Sequence, residues 1–213
     1  MFKFVKIWLF FSFLFGLVLF SASKTFAIYN PLSVSNNSFG VHIANIQDLE
    51  DAAKLVNSEG GDWGYVTLVI TEENRVVSVW QTVFDKMRRL HLIPIVRVAT
   101  RQEGDGWAKP KEEDIDHWAL FFDSLNWVIK NRYIIVGNEV NLAKEWGGEV
   151  NPEAYATYVK TFIQKLKNSN PDYYVLPAGF DASLPTAKGS LDEATYLTRM
   201  IKKEPDIFEA VDG

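Results

Sequence analysis

The feature that most constrains the fold is a repeated alternation of short apolar segments with longer segments of helical periodicity. The short segments are almost continuously apolar, which is typical of strands buried on both faces, and the longer ones carry apolar residues three or four positions apart. This alternation predicts a parallel sheet covered by helices. The predicted strands are 39–43, 65–70, 93–98, 133–137 and 173–178, with a sixth beginning at 208–211. The predicted helices are 48–57, 76–90, 112–126, 151–167 and 191–203.

Two α/β architectures have this alternation, a doubly wound open sheet and a (β/α)8 TIM-type barrel. An open sheet that binds nucleotides carries a Gly-rich phosphate motif after its first strand, and Gly40-Val41-His42-Ile43 is not such a motif. This favours the barrel. A complete barrel has eight units and about 250 residues. Residues 39–213 supply about five and a half units, so the sequence predicts an incomplete barrel and a fragment of a longer chain.

The N-terminal segment 1–27 has the pattern of a secretory signal peptide. Two lysines precede an apolar run at 7–20, and Thr25 and Ala27 supply small residues before a cleavage site. An uncleaved membrane anchor is the alternative, although a spanning helix needs about 20 apolar residues. In both cases we expect the following domain to be exported: secreted, periplasmic or anchored outside the cytoplasm. A polar leader, 28–38, precedes it.

Composition excludes several classes of partner and site. The net charge is −5, and the lysines and arginines form no basic run, so nucleic acid is not an expected partner. Cysteine is absent, which excludes disulfides and thiolate metal sites. The three histidines lack the paired spacing of a zinc motif, so we expect no metal and no cofactor. The sequence does not indicate an oligomeric state.

The strongest candidate site follows the fourth predicted strand, because barrel enzymes carry active residues at the carboxyl ends of their strands. There, Asn138 and Glu139 come directly after an apolar run. Glycoside cleavage needs a carboxylic acid that protonates the leaving oxygen, together with a second carboxylate. The amide of Asn138 can donate hydrogen bonds to, and accept them from, a sugar hydroxyl. The alternative is that the pair merely caps the next helix.

The segment Gly137-Asn138-Glu139-Val140-Asn141 resembles the motif that ends the fourth strand in retaining (β/α)8 glycoside hydrolases of clan A. The resemblance implies that Glu139 is the general acid/base and that Asn138 binds the 2-hydroxyl of the sugar. Many members have Pro after the Glu, where this chain has Val140. The family nucleophile ends the seventh strand, so the resemblance, which extends over 39–213, predicts no nucleophile in this chain. We therefore expect a glycosidase whose activity this chain alone does not have. A retaining mechanism rests on the resemblance alone.

Five further residues are candidates for substrate binding, each with a structural alternative. Arg97, within the third strand, could hold a catalytic carboxylate or form a structural ion pair. His42 could bond a sugar hydroxyl or be a satisfied core histidine. Trp146, in a Gly-rich loop, could stack on a sugar or anchor that loop, and the same two interpretations apply to Trp107. Asp181 could contact substrate or cap a turn.

The sequence therefore predicts a glycoside hydrolase whose substrate is an extracellular oligo- or polysaccharide. Two alternatives stay open at this point. One is a barrel that binds glycan without cleaving it, and the other is an open α/β sheet that binds a small solute. The sugar, the linkage and the choice between endo and exo action are not indicated by the sequence.

Overall fold

Strands and helices alternate along residues 38–213, the part of the chain that the computed structural model describes. The strands are β1 (Gly40–His42), β2 (Gly64–Thr71), β3 (Leu92–Ala99), β4 (Gln102–Glu103), β5 (Gly106–Trp107), β6 (Arg132–Val136) and β7 (Tyr173–Pro177). The helices are α1 (Leu49–Val56), α2 (Val77–Arg89), α3 (Asp114–Asp123), α4 (Pro152–Ser169), α5 (Glu193–Lys203) and α6 (Ile207–Ala210). The predicted signal segment, 1–27, lies outside the described residues. Among the helices described, none is long and apolar enough to cross a bilayer.

The five strands of the main sheet are parallel and follow one another in chain order, β1-β2-β3-β6-β7. In a doubly wound sheet the strand order reverses beside the first strand, whereas consecutive neighbours are the arrangement of a (β/α)8 barrel. The sheet is therefore an incomplete barrel, as the sequence predicts, and the open-sheet alternative is wrong. The carboxyl ends of the strands lie at one edge, where Val136 of β6 pairs with Val98 of β3 and with Pro177 of β7.

Alternation within each strand separates the helix-covered face from the face that a barrel turns inward. In β2, the side chains of Val66, Leu68 and Ile70 are buried in the core that the helices share, while Tyr65 and Thr67 are half-buried on the other face. The same register places Arg97 of β3 on the inward face, opposite Val69. The candidate residues of β3 and β6 can therefore meet inside the barrel mouth.

A cluster of aromatic rings joins the helices to the amino-terminal half of the sheet. The indole of Trp127 contacts the rings of Phe84, Phe122 and Tyr173, with centroid distances of 5.1, 5.9 and 6.0 Å. Its ring nitrogen donates a hydrogen bond to the carbonyl of Phe122 (3.0 Å), so this fully buried indole leaves no polar atom unpaired. This packing fixes β7 relative to α2 and α3.

The predicted sixth strand is wrong, because the segment from 207 to 210 forms the short helix α6. Ile207 is fully buried, and Ala210 lies three positions later, which is a helical rather than an extended spacing. After α6 the chain returns to the sheet, where the amide of Asp212 donates to the carbonyl of Val175 (3.1 Å). The carboxylate of Asp212 accepts from the amide of Val175 (2.8 Å) and pairs with Lys167.

Candidate active site

The turn that carries Asn138 and Glu139 has an unusual backbone. Gly137 has φ 93°, and Glu139 has φ 34°, which is uncommon for a residue with a Cβ and costs about 1–3 kcal/mol. Hydrogen bonds hold this conformation: the amide of Glu139 donates to the carbonyl of Gly179 (2.9 Å), and its carbonyl accepts from the amide of Leu142 (2.8 Å). The backbone of the proposed acid is thus tied to the loop after β7.

Tyr155 of α4 supports this turn from behind. Its buried hydroxyl donates to the carbonyl of Val136 (2.8 Å) and accepts from the amide of Ala178 (2.6 Å). Burial raises the pKa of Tyr155, so the hydroxyl keeps the proton that it donates. The position opposite Val136 on β7 is Pro177, which has no N–H to give to the sheet. The hydroxyl therefore links the ends of β6 and β7 where the ladder is interrupted.

The side chain of Asn138 lies between two charged groups. Its Oδ1 accepts a hydrogen bond from Nη1 of Arg97 (2.5 Å), and its Nδ2 donates to Oε2 of Glu145 (3.2 Å). Burial lowers the pKa of Arg97, while the carboxylates of Glu145 and Glu139 act in the opposite direction. The guanidinium remains charged at neutral pH, because its ordinary pKa is far higher. Arg97 thus meets the amide of Asn138 directly and lies in the field of both carboxylates.

A narrow cavity of about 40 Å3 adjoins these polar groups. One wall is the loop after β3, which contains the β4–β5 hairpin, and the other is the loop after β6. Its polar side is formed by Arg97, Asn138 and Glu145, and aromatic rings form much of the remainder. Those rings belong to Trp107, Trp118, Trp146 and Tyr158. Ligand pockets usually enclose about 300–1,000 Å3, so this cavity is too small to hold a sugar, and Glu139 is not among the residues that line it.

Trp146 is positioned as a loop anchor. Its side chain is only 3% exposed, and its ring packs edge-on against Tyr155 and Tyr158, at centroid distances of 5.2 and 5.7 Å. The neighbouring amide of Gly147 donates to the carbonyl of Trp107 (2.9 Å), which joins this loop to the hairpin. With no broad exposed ring face, Trp146 matches the structural alternative better than sugar stacking, whereas Trp107 is half-exposed on the cavity wall.

His42 and Asp181 lie at the same edge of the sheet but differ in their surroundings. His42 ends β1 and is exposed, and its pKa is lowered by partial desolvation and then by the positive charge of Arg97. The carboxylate of Asp181 accepts from the amide (2.9 Å) and the hydroxyl (2.6 Å) of Ser183, and these bonds lower its pKa. Asp181 therefore forms a turn, the structural alternative that the sequence left open.

Sequence reasoning did not single out two residues that organise the site. Glu145 contacts Asn138 from within the following loop. Asn141 is fully buried, and its side chain bonds the backbone of Asp181 and the carbonyl of Leu191. A buried Asn is held by its hydrogen bonds, so Asn141 fixes the spacing of two loops. Within residues 38–213, no three His, Asp or Glu side chains form a group that could hold a metal.

Several solved structures have a similar fold. A monomeric β-xylosidase from Caulobacter crescentus matches with a TM-score of 0.55 and 15% identity, over 80% of this chain and 39% of that protein. A β-mannanase from Thermomonospora fusca, in complex with mannohexaose, matches with a TM-score of 0.53 and 16% identity, over 86% of this chain and 59% of that protein. The catalytic domain of a Streptomyces mannanase matches with a TM-score of 0.50 and 15% identity, over 89% of this chain and 63% of that domain.

The sequence itself matches no family model and no curated protein. The structural likenesses, at such low identity, concern the fold, and the chain spans less than two thirds of the length of each of these enzymes. They confirm the incomplete (β/α)8 barrel that the alternation of strands and helices in the sequence predicts. The described chain has the fold of a partial (β/α)8 barrel of the type found in clan A glycoside hydrolases.

Proposed function

We propose that this chain is part of a glycoside hydrolase that acts on an oligo- or polysaccharide outside the cytoplasm, with Glu139 as the general acid/base. The observation that carries the proposal is the position of Asn138 and Glu139, which follow β6 at the barrel mouth, where the amide of Asn138 bonds Arg97. A helix cap would not require this arrangement, and the cap of α4 is a different residue, Asn151, whose side chain accepts from the amide of Ala154 (3.0 Å).

The proposed chemistry assigns one task to each group. Glu139 donates a proton to the leaving oxygen of the glycosidic bond, so that the alcohol departs uncharged. The free N–H of Asn138 bonds a sugar hydroxyl next to the reacting carbon, and His42 in its neutral form can accept or donate a further hydrogen bond. Arg97 holds the amide of Asn138 and supplies positive charge near the carboxylates.

A retaining mechanism also requires a nucleophilic carboxylate about 5–5.5 Å from the acid. We assign that role to no residue among those described. The carboxylate of Asp212 is bound to Val175 of β7 and to Lys167 of α4, and Glu209 is exposed on α6, so neither is placed for attack on a sugar.

The structural neighbours suggest which sugars to examine first. One neighbour is a β-xylosidase and others are β-mannanases, of which one was solved with mannohexaose. We therefore propose a β-linked saccharide of the xylose or mannose type as the substrate. The test is incubation of the longer protein, of which we propose that this chain is a part, with β-linked manno-, xylo- and gluco-oligosaccharides. Products are followed by chromatography and binding by calorimetry.

Three outcomes separate the possibilities. The proposal is supported if one series of oligosaccharides is cleaved, if Glu139→Gln abolishes this cleavage, and if Glu149→Gln preserves it. Glu149→Gln is the control because Glu149 is a carboxylate of the same loop and pairs with Lys109. Saccharide binding without cleavage would identify a glycan-binding barrel instead. Neither binding nor cleavage on any series would refute a saccharide function for this site.

A further inference from the structure

We propose that Glu145 is a positioning residue that fixes which end of the Asn138 amide faces the ligand. The proposal deepens the assigned function and rests on it in one respect, that Asn138 contacts the sugar. Among residues 38–213, the side chain of Asn138 forms hydrogen bonds with two side chains, those of Arg97 and Glu145.

The two ends of an Asn side chain have nearly the same size, so the partners decide which end is oxygen and which is nitrogen. A guanidinium only donates hydrogen bonds, so Arg97 requires the oxygen of Asn138 on its side. An ionised carboxylate only accepts, so Glu145 requires the nitrogen on the other side. The reversed amide would place two donors together at Arg97 and two acceptors together at Glu145, and both contacts would be lost.

The fixed orientation determines what the site offers to a ligand. Oδ1 of Asn138 accepts one hydrogen bond from Arg97, and one of its two N–H groups donates to Glu145. One N–H and one lone pair of Oδ1 remain, and the fixed orientation gives each a defined side, so a sugar hydroxyl is matched by position as well as by type. Glu145 also balances the charge of Arg97, which otherwise has Glu139 as its remaining carboxylate neighbour.

The turn that carries Glu145 is held firmly enough to serve this role. Residues Ala143–Glu145 form a 3-10 turn, and the amide of Glu145 donates to the carbonyl of Leu142 (2.9 Å). The buried ring of Trp146 follows directly. On the opposite side, the β4–β5 hairpin packs against this turn so closely that a Cβ added at Gly106 would lie 2.5 Å from the carbonyl oxygen of Lys144. The carboxylate is thus presented from a clamped backbone, as precise positioning requires.

The direct test reads the Asn138 side chain itself and needs no turnover. In the 15N-labelled chain, the NH2 signals of Asn138 are identified by their loss in Asn138→Asp. We expect Glu145→Ala to shift this pair strongly, Glu145→Gln to retain most of its position because an acceptor oxygen remains, and Glu149→Ala to leave it unchanged. Should Glu145→Ala fail to fold, Glu145→Met removes the acceptor oxygens at similar length.

The functional arm measures kcat and KM of the longer protein, of which we propose that this chain is a part, on the saccharide that it cleaves. Glu145→Ala should lower kcat/KM by about 10- to 100-fold, mainly through kcat, and Glu145→Gln should restore part of the loss. An Asn138 pair that stays in place in a folded Glu145→Ala or Glu145→Met variant overturns the inference, whatever the activity. A shifted pair, together with a longer protein that neither binds nor cleaves any saccharide, supports the positioning role and refutes the proposed function instead.

Discussion

The Tyr155 hydroxyl provides a sharp test of how the strand ends behind Glu139 are held. The substitution Tyr155→Phe removes one oxygen and leaves the ring, with its edge-on contact to Trp146, in place. It deprives the carbonyl of Val136 and the amide of Ala178 of their common partner, in a region that water does not reach. Both backbone groups would then be buried without a hydrogen bond.

The expected loss of stability follows from these two groups. An unpaired buried donor or acceptor costs about 1–3 kcal/mol, so with two such groups we expect Tyr155→Phe to lower the free energy of unfolding by about 2–6 kcal/mol. For a domain of this size, each kcal/mol shifts the melting temperature by about 2–4 °C, so the decrease should be at least about 4 °C and as much as roughly 20 °C.

The assay is thermal and urea denaturation followed by circular dichroism. Tyr174→Phe is the matched control, because that ring is 38% exposed on the inward face of β7, and we expect it to change the melting temperature by no more than about 2 °C. A Tyr155→Phe chain as stable as the wild type would refute the account of the hydroxyl as the link between β6 and β7.

Two further predictions concern charge and backbone shape. The pKa of His42 should lie below its usual value of about 6.5, rise when Arg97→Gln removes the nearby charge, and be measurable by proton NMR. Because folding lowers the pKa of His42, the histidine contributes its full stability at pH values above the unfolded-state pKa, and this contribution is lost as the pH falls through the folded-state pKa. A measured pKa of about 6.5 or higher in the folded chain would contradict the prediction. Both Gly104 and Gly147 have positive φ, so Gly104→Ala should destabilise the chain by about 1–2 kcal/mol. Gly147→Ala should destabilise it by more, because only there would the added Cβ lie 2.5 Å from the Cβ of Lys109. Equal melting temperatures for the two variants would show that the loop is not packed as described.

The central strands were predictable because their sequence signal is local. Strand β2 was expected at 65–70 and is found at Gly64–Thr71, and helix α2 was expected at 76–90 and is found at Val77–Arg89. Each has a strong apolar period that no tertiary contact opposes. The segment at 208–211 was mistaken for a strand because four residues cannot distinguish the two periods, and burial of Ile207 selects the helix.

The site was only partly predictable from the sequence. Asn138 and Glu139 have a recognisable position after an apolar strand. The contact between Asn138 and Glu145 depends on a turn whose shape is set by the burial of Trp146 and by glycines at positive φ, which are tertiary effects. The orientation of the Trp146 ring depends on Tyr155 and Tyr158 of a helix that follows later in the chain.

The most direct test of the central claim, that Glu139 is the general acid of a glycoside hydrolase, compares two glycosides of one sugar that differ only in leaving group. An activated aryl group departs without a proton, whereas a sugar or alkyl group needs one. We predict that Glu139→Gln lowers kcat/KM by about 100- to 10,000-fold for the poor leaving group and far less for the activated one. An equal loss on both substrates, or no loss on either, would contradict the assignment of Glu139 as the acid.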